Sequence, residues 1–276
     1  MDSLIMLGNM ALNSEELARR VGEEPGALRA LVAALAAGGT SAEPNLQSAA
    51  MASANALDHI AGEGPDLGER IVAEPGALRA LAAAVAVGGA SDAFHVQLAA
   101  AGSANVLAVI AVLYPHLAPR VVEEPGVLQA LVATLAAGAA SAEPGSRVVG
   151  HVCARALSKI TEIGPGFARR VAEEPGALQA LRAAVAAGGG AAVAATHTVA
   201  MIRYWAQATV AAAGDACGHC GRSASEASGA AGVRLRLCTG CNTARFCNAD
   251  CQRHAWGRNK AACRALAATT GGNRGA

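Results

Sequence analysis

"EEPGALRALVAALAAGG" occupies residues 23–39 and decides the fold, because it comes back. "AEPGALRALAAAVAVGG" fills 73–89, "EEPGVLQALVATLAAGA" fills 123–139 and "EEPGALQALRAAVAAGG" fills 173–189, an interval of fifty residues each time. Four copies in one register mark a repeat architecture. In such a chain each unit is a small block that buries its apolar face only by stacking on its neighbours.

Each unit reads as helices. After Pro25-Gly26, the residues Leu28, Leu31, Val32 and Leu35 fall at i, i+3, i+4 and i+7, a single apolar stripe. Gly38 and Gly39 close that helix and a polar loop, "TSAEP" (40–44), follows. A second, longer helix is expected from near Leu46, with Ala50, Ala54, Leu57 and Ala61 on one face, until "GEGP" (62–65) breaks it. A short helix around Leu67–Val72 leads into the next Glu-Pro-Gly. The plan returns with Leu78, Leu81, Val85, Leu107 and Ile110, and again with Leu128, Leu131, Leu135, Leu157 and Ile160. The fold class expected is all-α.

Composition agrees. Of the 276 residues, 53% are apolar but only 3% are aromatic, so the apolar share is mostly alanine with Leu and Val. Alanine is the best helix former and lets helices approach closely. Many thin, stacked helices are favoured over one thick core. The stretch 183–214 is nearly uncharged and long enough to suggest a membrane span, but Arg203 interrupts it. It is also in phase with the earlier long helices. It reads as the last repeat's buried helix, with Tyr204 and Trp205 covering the end, and no membrane partner is expected.

Arg20, Arg70, Arg120 and Arg170 each precede a recurring glutamate by four residues. A charged ladder for a partner is one reading; a solvated face with weak ion pairs is the favoured one. The net charge of +1 hides an asymmetry: residues 215–276 hold nine Lys/Arg against three Asp/Glu, leaving 13 against 18 for residues 1–214. The opening "MDSLIMLGNMALNS" has no basic segment or cleavage-like site, so no signal peptide is expected. An intracellular setting, cytoplasmic and/or nuclear, follows as the expectation. In that reducing environment clustered cysteines signal metal more often than disulfides.

The repeat resembles the armadillo family. "PGALRALVAALAAGG" looks like that family's second helix and "LQSAAMASANALDHIA" (46–61) like its third. The resemblance covers roughly residues 1–213, is shared in large part with HEAT-type repeats, and implies a right-handed helical solenoid of about four repeats. Armadillo proteins that hold extended peptides often carry an asparagine ladder along the third helices. The matching positions here are His59, Val109 and Lys159, so that ladder is absent.

Seven of the eight cysteines lie between 217 and 263, whereas Cys153 stands alone in an apolar context and reads as a small core residue. The pattern is Cys217-x2-Cys220, Cys238-x2-Cys241, Cys247-x3-Cys251, then Cys263. Short paired spacings bring two sulfurs to one tetrahedral ion. Three such pairs exceed one zinc, and two zincs need eight ligands. The segment resembles the MYND-type zinc finger, and is especially similar to the fingers of ETO-type corepressors in "CTGCNTARFCNADCQ" (238–252) with the following Trp256.

That resemblance implies a small cross-brace finger over 214–266, with its core at 217–263 and a flexible tail at 267–276. It implies two Zn2+ ions, one held by Cys217, Cys220, Cys247 and Cys251. The second would be held by Cys238, Cys241, Cys263 and a histidine where this chain has Asn259. An amide is a poor zinc ligand beside an imidazole. Water completing a three-thiolate site, substitution by His254, and loss of the second zinc all remain open. Phe246 and Trp256 supply a small apolar core, the loop "GRSASEASGAAG" (221–232) is expected to be mobile, and metal is expected to supply much of the folding energy.

As a family, MYND fingers bind proteins, and those docked to corepressors accept proline-rich segments of the PxLxP type. The contact positions that carry over are Thr239, Gln252 and Trp256. The basic residues Arg234, Arg236, Arg245, Arg253, Arg258, Lys260 and Arg264 raise a nucleic-acid reading. The finger lacks a C2H2-like reading helix and interleaved aromatics, which argues against it. The repeats leave no room for a SET methyltransferase domain, and no nucleotide loop, triad or acid pair stands out. The sequence reading is a non-catalytic interaction scaffold whose partners are proteins.

Overall fold

The computed structural model describes residues 6, 10, 14–212, 236–238, 245–246, 248–254 and 256. The chain forms two compact units, one of residues 1–163 with 174–198, the other of residues 164–173 with 199–276. The expected boundary at 213/214 lies outside the described residues.

In the first unit α1 (Glu15–Glu23) is followed by α2 (Ala27–Gly38) and the long α3 (Pro44–Gly62). The second repeat supplies α4 (Pro65–Ala73), α5 (Ala77–Gly88) and the long α6 (Phe94–Leu113). The third supplies α7 (Ala118–Glu123), α8 (Val127–Ala140) and the long α9 (Pro144–Ile163). After α10 (Pro165–Glu173), which belongs to the second unit, come α11 (Ala177–Ala187) and α12 (Gly189–Ala212). The long helices begin two residues earlier than the expected Leu46. Pro44 sits at the first helical position, where its missing N–H costs nothing. The short helix likewise extends over Pro65–Ala73 rather than Leu67–Val72.

The invariant spacing of Glu-Pro-Gly has a backbone cause. Glu24, preceding proline, is driven into the extended region (φ −64°, ψ 127°), which ends α1. Gly26 then turns the chain at φ 81°, and Ala27 N–H closes on the Glu24 carbonyl at 3.1 Å. Gly76, Gly126 and Gly176 repeat this at 79°, 91° and 80°. A side chain resists that left-handed conformation, so a glycine recurs wherever a short helix turns into the next one.

Packing in the first unit sets α3 against α6 and α6 against α9, a row of long helices. The shorter α2, α5 and α8 form a second row against them, and α11 packs against α8 to continue that row. The interface between the rows is built from Leu31, Leu35, Leu57, Ile60, Leu81, Leu107, Ile110, Leu131, Leu135, Leu157 and Ile160, all fully buried. Each contributes roughly 1.5–3 kcal/mol of burial. Small residues let the helices approach closely: Ala50 lies against Gly38 and Ala100 against Gly88 between the rows, and Ala54 lies against Gly102 between neighbouring long helices. α6 is the one described helix long and apolar enough to cross a membrane, and two-thirds of its apolar window (67%) is buried inside the protein.

Tyr204 is 57% exposed and packs edge-on against Trp205 with ring centres 5.1 Å apart. One expectation changes: α12 is not simply a buried helix. Ala195, Thr198 and Ile202 form its buried stripe, while Val193 is 74% exposed.

The described part of the second unit downstream of α12 includes a two-stranded antiparallel ribbon. In it β1 (Arg236–Leu237) pairs with β2 (Arg245–Phe246), Arg236 opposite Phe246 and Leu237 opposite Arg245. A helical turn over 249–254 follows. The sequence reading, all-α apart from the finger, did not anticipate the ribbon.

Candidate metal centre and its flanking surface

Cys238 comes directly after β1 and is 3% exposed; Phe246, the last residue of β2, is also 3% exposed. The ribbon therefore presents one cysteine from a buried position. The helical turn presents another. Asn248 caps the turn, its Oδ1 accepting from the Cys251 N–H at 2.8 Å, and Cys251 is half-buried on the first turn. Asn248 has no role in the sequence reading; its signal was an Asn three residues before a helical cysteine.

Gln252, next to Cys251, reaches the ribbon: its side-chain Nε2 donates to the Cys238 sulfur at 3.4 Å. His254 lies two residues further on. At 3.6 residues per turn it projects roughly 160° away from Gln252. Its Nδ1 meets the Asp250 carbonyl oxygen at 2.8 Å, and the ring is exposed. Asp250 also pairs with Arg253, so one basic charge of this turn is locally neutralised. Trp256 is 40% exposed, in contrast to Phe246. The expectation that both aromatics form the core holds for Phe246 only.

The remaining site residues named from the sequence, Cys217, Cys220, Thr239, Cys241, Cys247, Asn259 and Cys263, lie outside the described residues, as does the tail 267–276. Among the described residues no cluster of three metal-ligating side chains forms. What is described fits a zinc site. A thiol almost excluded from water and accepting an amide N–H is an environment for a bound thiolate. Cys153, by contrast, is fully buried in α9 and its thiol is pushed up by burial alone, which suits an inert core position.

In the repeat unit the ladder of arginines does not pair with its own glutamates. Glu74 pairs with Arg29 at 3.3 Å and Glu124 with Arg79 at 3.8 Å, each bridge reaching back one repeat. Arg70 and Arg120 instead donate to the carbonyls of Glu23 and Val72. The arginine ends of both bridges are largely exposed, as a solvated face requires. A cleft of about 400 Å3 opens at this junction, lined by Glu74, Arg79, Arg120, Glu123 and Glu124 among others. On the long helices Asn105 Nδ2 donates to Asp58 Oδ2 at 2.8 Å. Burial raises the Asp58 carboxyl above its ordinary range, partly offset by that hydrogen bond and by His59 and Arg155.

Comparison with known proteins adds one finding. The family model of the MYND finger matches residues 217–263. No curated protein and no solved structure matches the chain. The matched segment contains all seven clustered cysteines, and the module is a zinc-binding, protein-interaction finger rather than a catalytic domain. When bound, zinc crosslinks thiolates and supplies folding energy.

Proposed function

We propose that this protein is a non-catalytic scaffold in which the finger docks short proline-rich peptides and the repeats hold a second protein. The observation that carries the reading is Trp256. An indole 40% exposed beside a short turn, on a module whose other aromatic is buried, offers a flat apolar face. Proline-rich segments are extended before they bind, so they lose little entropy on such a face. Gln252, half-buried on the same turn, and Thr239, beside Cys238 in sequence, complete the contact set.

The repeats serve as an armadillo-like solenoid whose long helices present Asn55, His59, Asn105 and Arg155 to the second partner. The setting is intracellular, cytoplasmic and/or nuclear. Two zincs are held in the interleaved pattern, Cys217, Cys220, Cys247 and Cys251 on one and Cys238, Cys241 and Cys263 on the other. His254 projects away from the Gln252–Cys238 contact, so we assign the eighth position to water or to Asn259 itself. The test is a Trp256→Ala chain that keeps its zinc, titrated with a pool of PxLxP-type peptides. Binding should be lost; unchanged binding sinks the docking assignment.

A further inference from the structure

The geometry points to Gln252 as a positioning residue of the zinc site that contains Cys238, its side-chain amide holding that sulfur ready for the metal. This rests on the reading of the finger as a two-zinc module, but not on what the finger docks.

Cys238 is 3% exposed, so a thiolate there has almost no water to solvate it. Charge that is buried requires donors from the protein. Gln252 Nε2, at 3.4 Å from Sγ, is such a donor. Groups of this kind fix the rotamer of a metal ligand and moderate its charge, and their removal typically weakens metal binding by about 10–100-fold. Cys238, Cys241 and Cys263 bring three negative charges to one divalent ion, and the neutral group at position 259 offsets none of them. A donated N–H spreads that excess.

The placement of Gln252 also links two parts of the finger. It stands beside Cys251 on a turn capped by Asn248, so one short element carries a sulfur of one site and the amide that reaches a sulfur of the other. A glutamine amide has two N–H donors and one acceptor oxygen. With one N–H directed to sulfur, Oε1 remains for a peptide N–H. The residue that the family pattern assigns to the peptide then serves the metal as well, through a different atom.

Two variants separate these atoms. Gln252→Glu keeps size and an acceptor oxygen but removes both donors and sets a carboxylate against the sulfur. Gln252→Met keeps bulk with no donor. The full zinc-loaded chain is challenged with increasing chelator, and zinc per chain is counted. The expected result is that Gln252→Glu gives up one zinc at a chelator concentration about 10–100-fold lower than wild type, with Gln252→Met between the two. Helical circular dichroism stays constant. With Co2+ in place of zinc, the sulfur-to-metal charge-transfer band shifts in both variants at saturating metal, which a folding defect alone would not produce.

Equal chelator resistance and an unmoved band in both variants overturn the inference, whether the chain carries two zincs or one. Loss of peptide binding with zinc retained also overturns it, making Gln252 a peptide contact only. A wild-type chain that binds no peptide, while Gln252→Glu sheds zinc, sinks the docking reading and leaves the inference standing.

Discussion

The ring of Tyr114 occupies the space that a side chain on Gly68 would need. A methyl group built on Gly68 overlaps the Cδ2 and Cε2 atoms of that ring. The period of fifty makes this an exchange between repeats. Position 114 is tyrosine where positions 64 and 164 are glycine, and position 68 is glycine where positions 118 and 168 are alanine. The larger residue is matched by the smaller one. Tyr114 is buried and its hydroxyl donates to the Ala61 carbonyl at 2.5 Å, closing the end of α3 from the following repeat.

Gly68→Ala would ordinarily stabilise a helix by about 0.5–1 kcal/mol, but crowding a packed site costs roughly 1–3 kcal/mol. Here the overlap is with a ring held in place at its hydroxyl, so crowding dominates and a net loss of about 1–2 kcal/mol is expected. In a Tyr114→Gly background the same alanine should be neutral or stabilising. Urea unfolding of the four chains measures the coupling, and additive effects would show that the ring moves aside freely.

The bridges Arg29–Glu74 and Arg79–Glu124 join successive repeats, yet their arginine side chains are 77% and 82% exposed. Exposed pairs contribute about 0–1 kcal/mol and are screened by salt. The later repeats place Gln129 and Gln179 at the equivalent positions, so the bridge is dispensable to the turn itself. Arg79→Gln should lower the free energy of unfolding by less than about 1 kcal/mol, and by less still in about 1 M salt. A loss several times larger would assign this pair a role in register.

Asp58 carries a pH signature. Its folded carboxyl is raised, chiefly by burial, while the unfolded chain titrates near 3.8. The folded state therefore holds the proton to higher pH. Its contribution to stability is fully present below 3.8 and is lost as pH rises through the raised value, leaving a poorly solvated charge at neutrality. Asp58→Asn removes that charge and keeps an oxygen for Asn105. The variant should melt above wild type at about pH 7, with the gap closing by about pH 3.5. A gap independent of pH would mean that its stability effect has nothing to do with ionisation.

The repeats were legible because their signals are periodic and local. Proline and glycine at fixed places, with apolar residues at helical spacing, dictate turns and stripes without reference to anything distant. The sequence reading leaves Pro44 in the loop, because a proline so often ends a helix; at a first helical position it begins one. The partner of Glu74 was not legible, since the nearest arginine in sequence, Arg70, is satisfied by a carbonyl and the pairing arginine comes from the preceding repeat. In the finger the ligand spacing was plain, but the Gln252–Cys238 contact joins a turn to a ribbon 14 residues away, and no periodicity announces it.

Thiol chemistry reads both units at once. Cys153 is fully buried in α9 with its thiol raised by burial, so at about pH 8 it is neither accessible nor ionised. The other seven cysteines belong to the finger. Zinc removal should therefore expose seven fast-reacting thiols while helical circular dichroism falls little, because residues 14–212 fold without a metal-ligand cluster. The eighth thiol should appear only when denaturant unfolds the repeats. With zinc bound, the thiols that react report the second site: none if both sites are filled, and Cys241 and Cys263 with a slower Cys238, which is 3% exposed, if those three stand without metal. Early reaction of Cys153 in the native chain would overturn its assignment to the core.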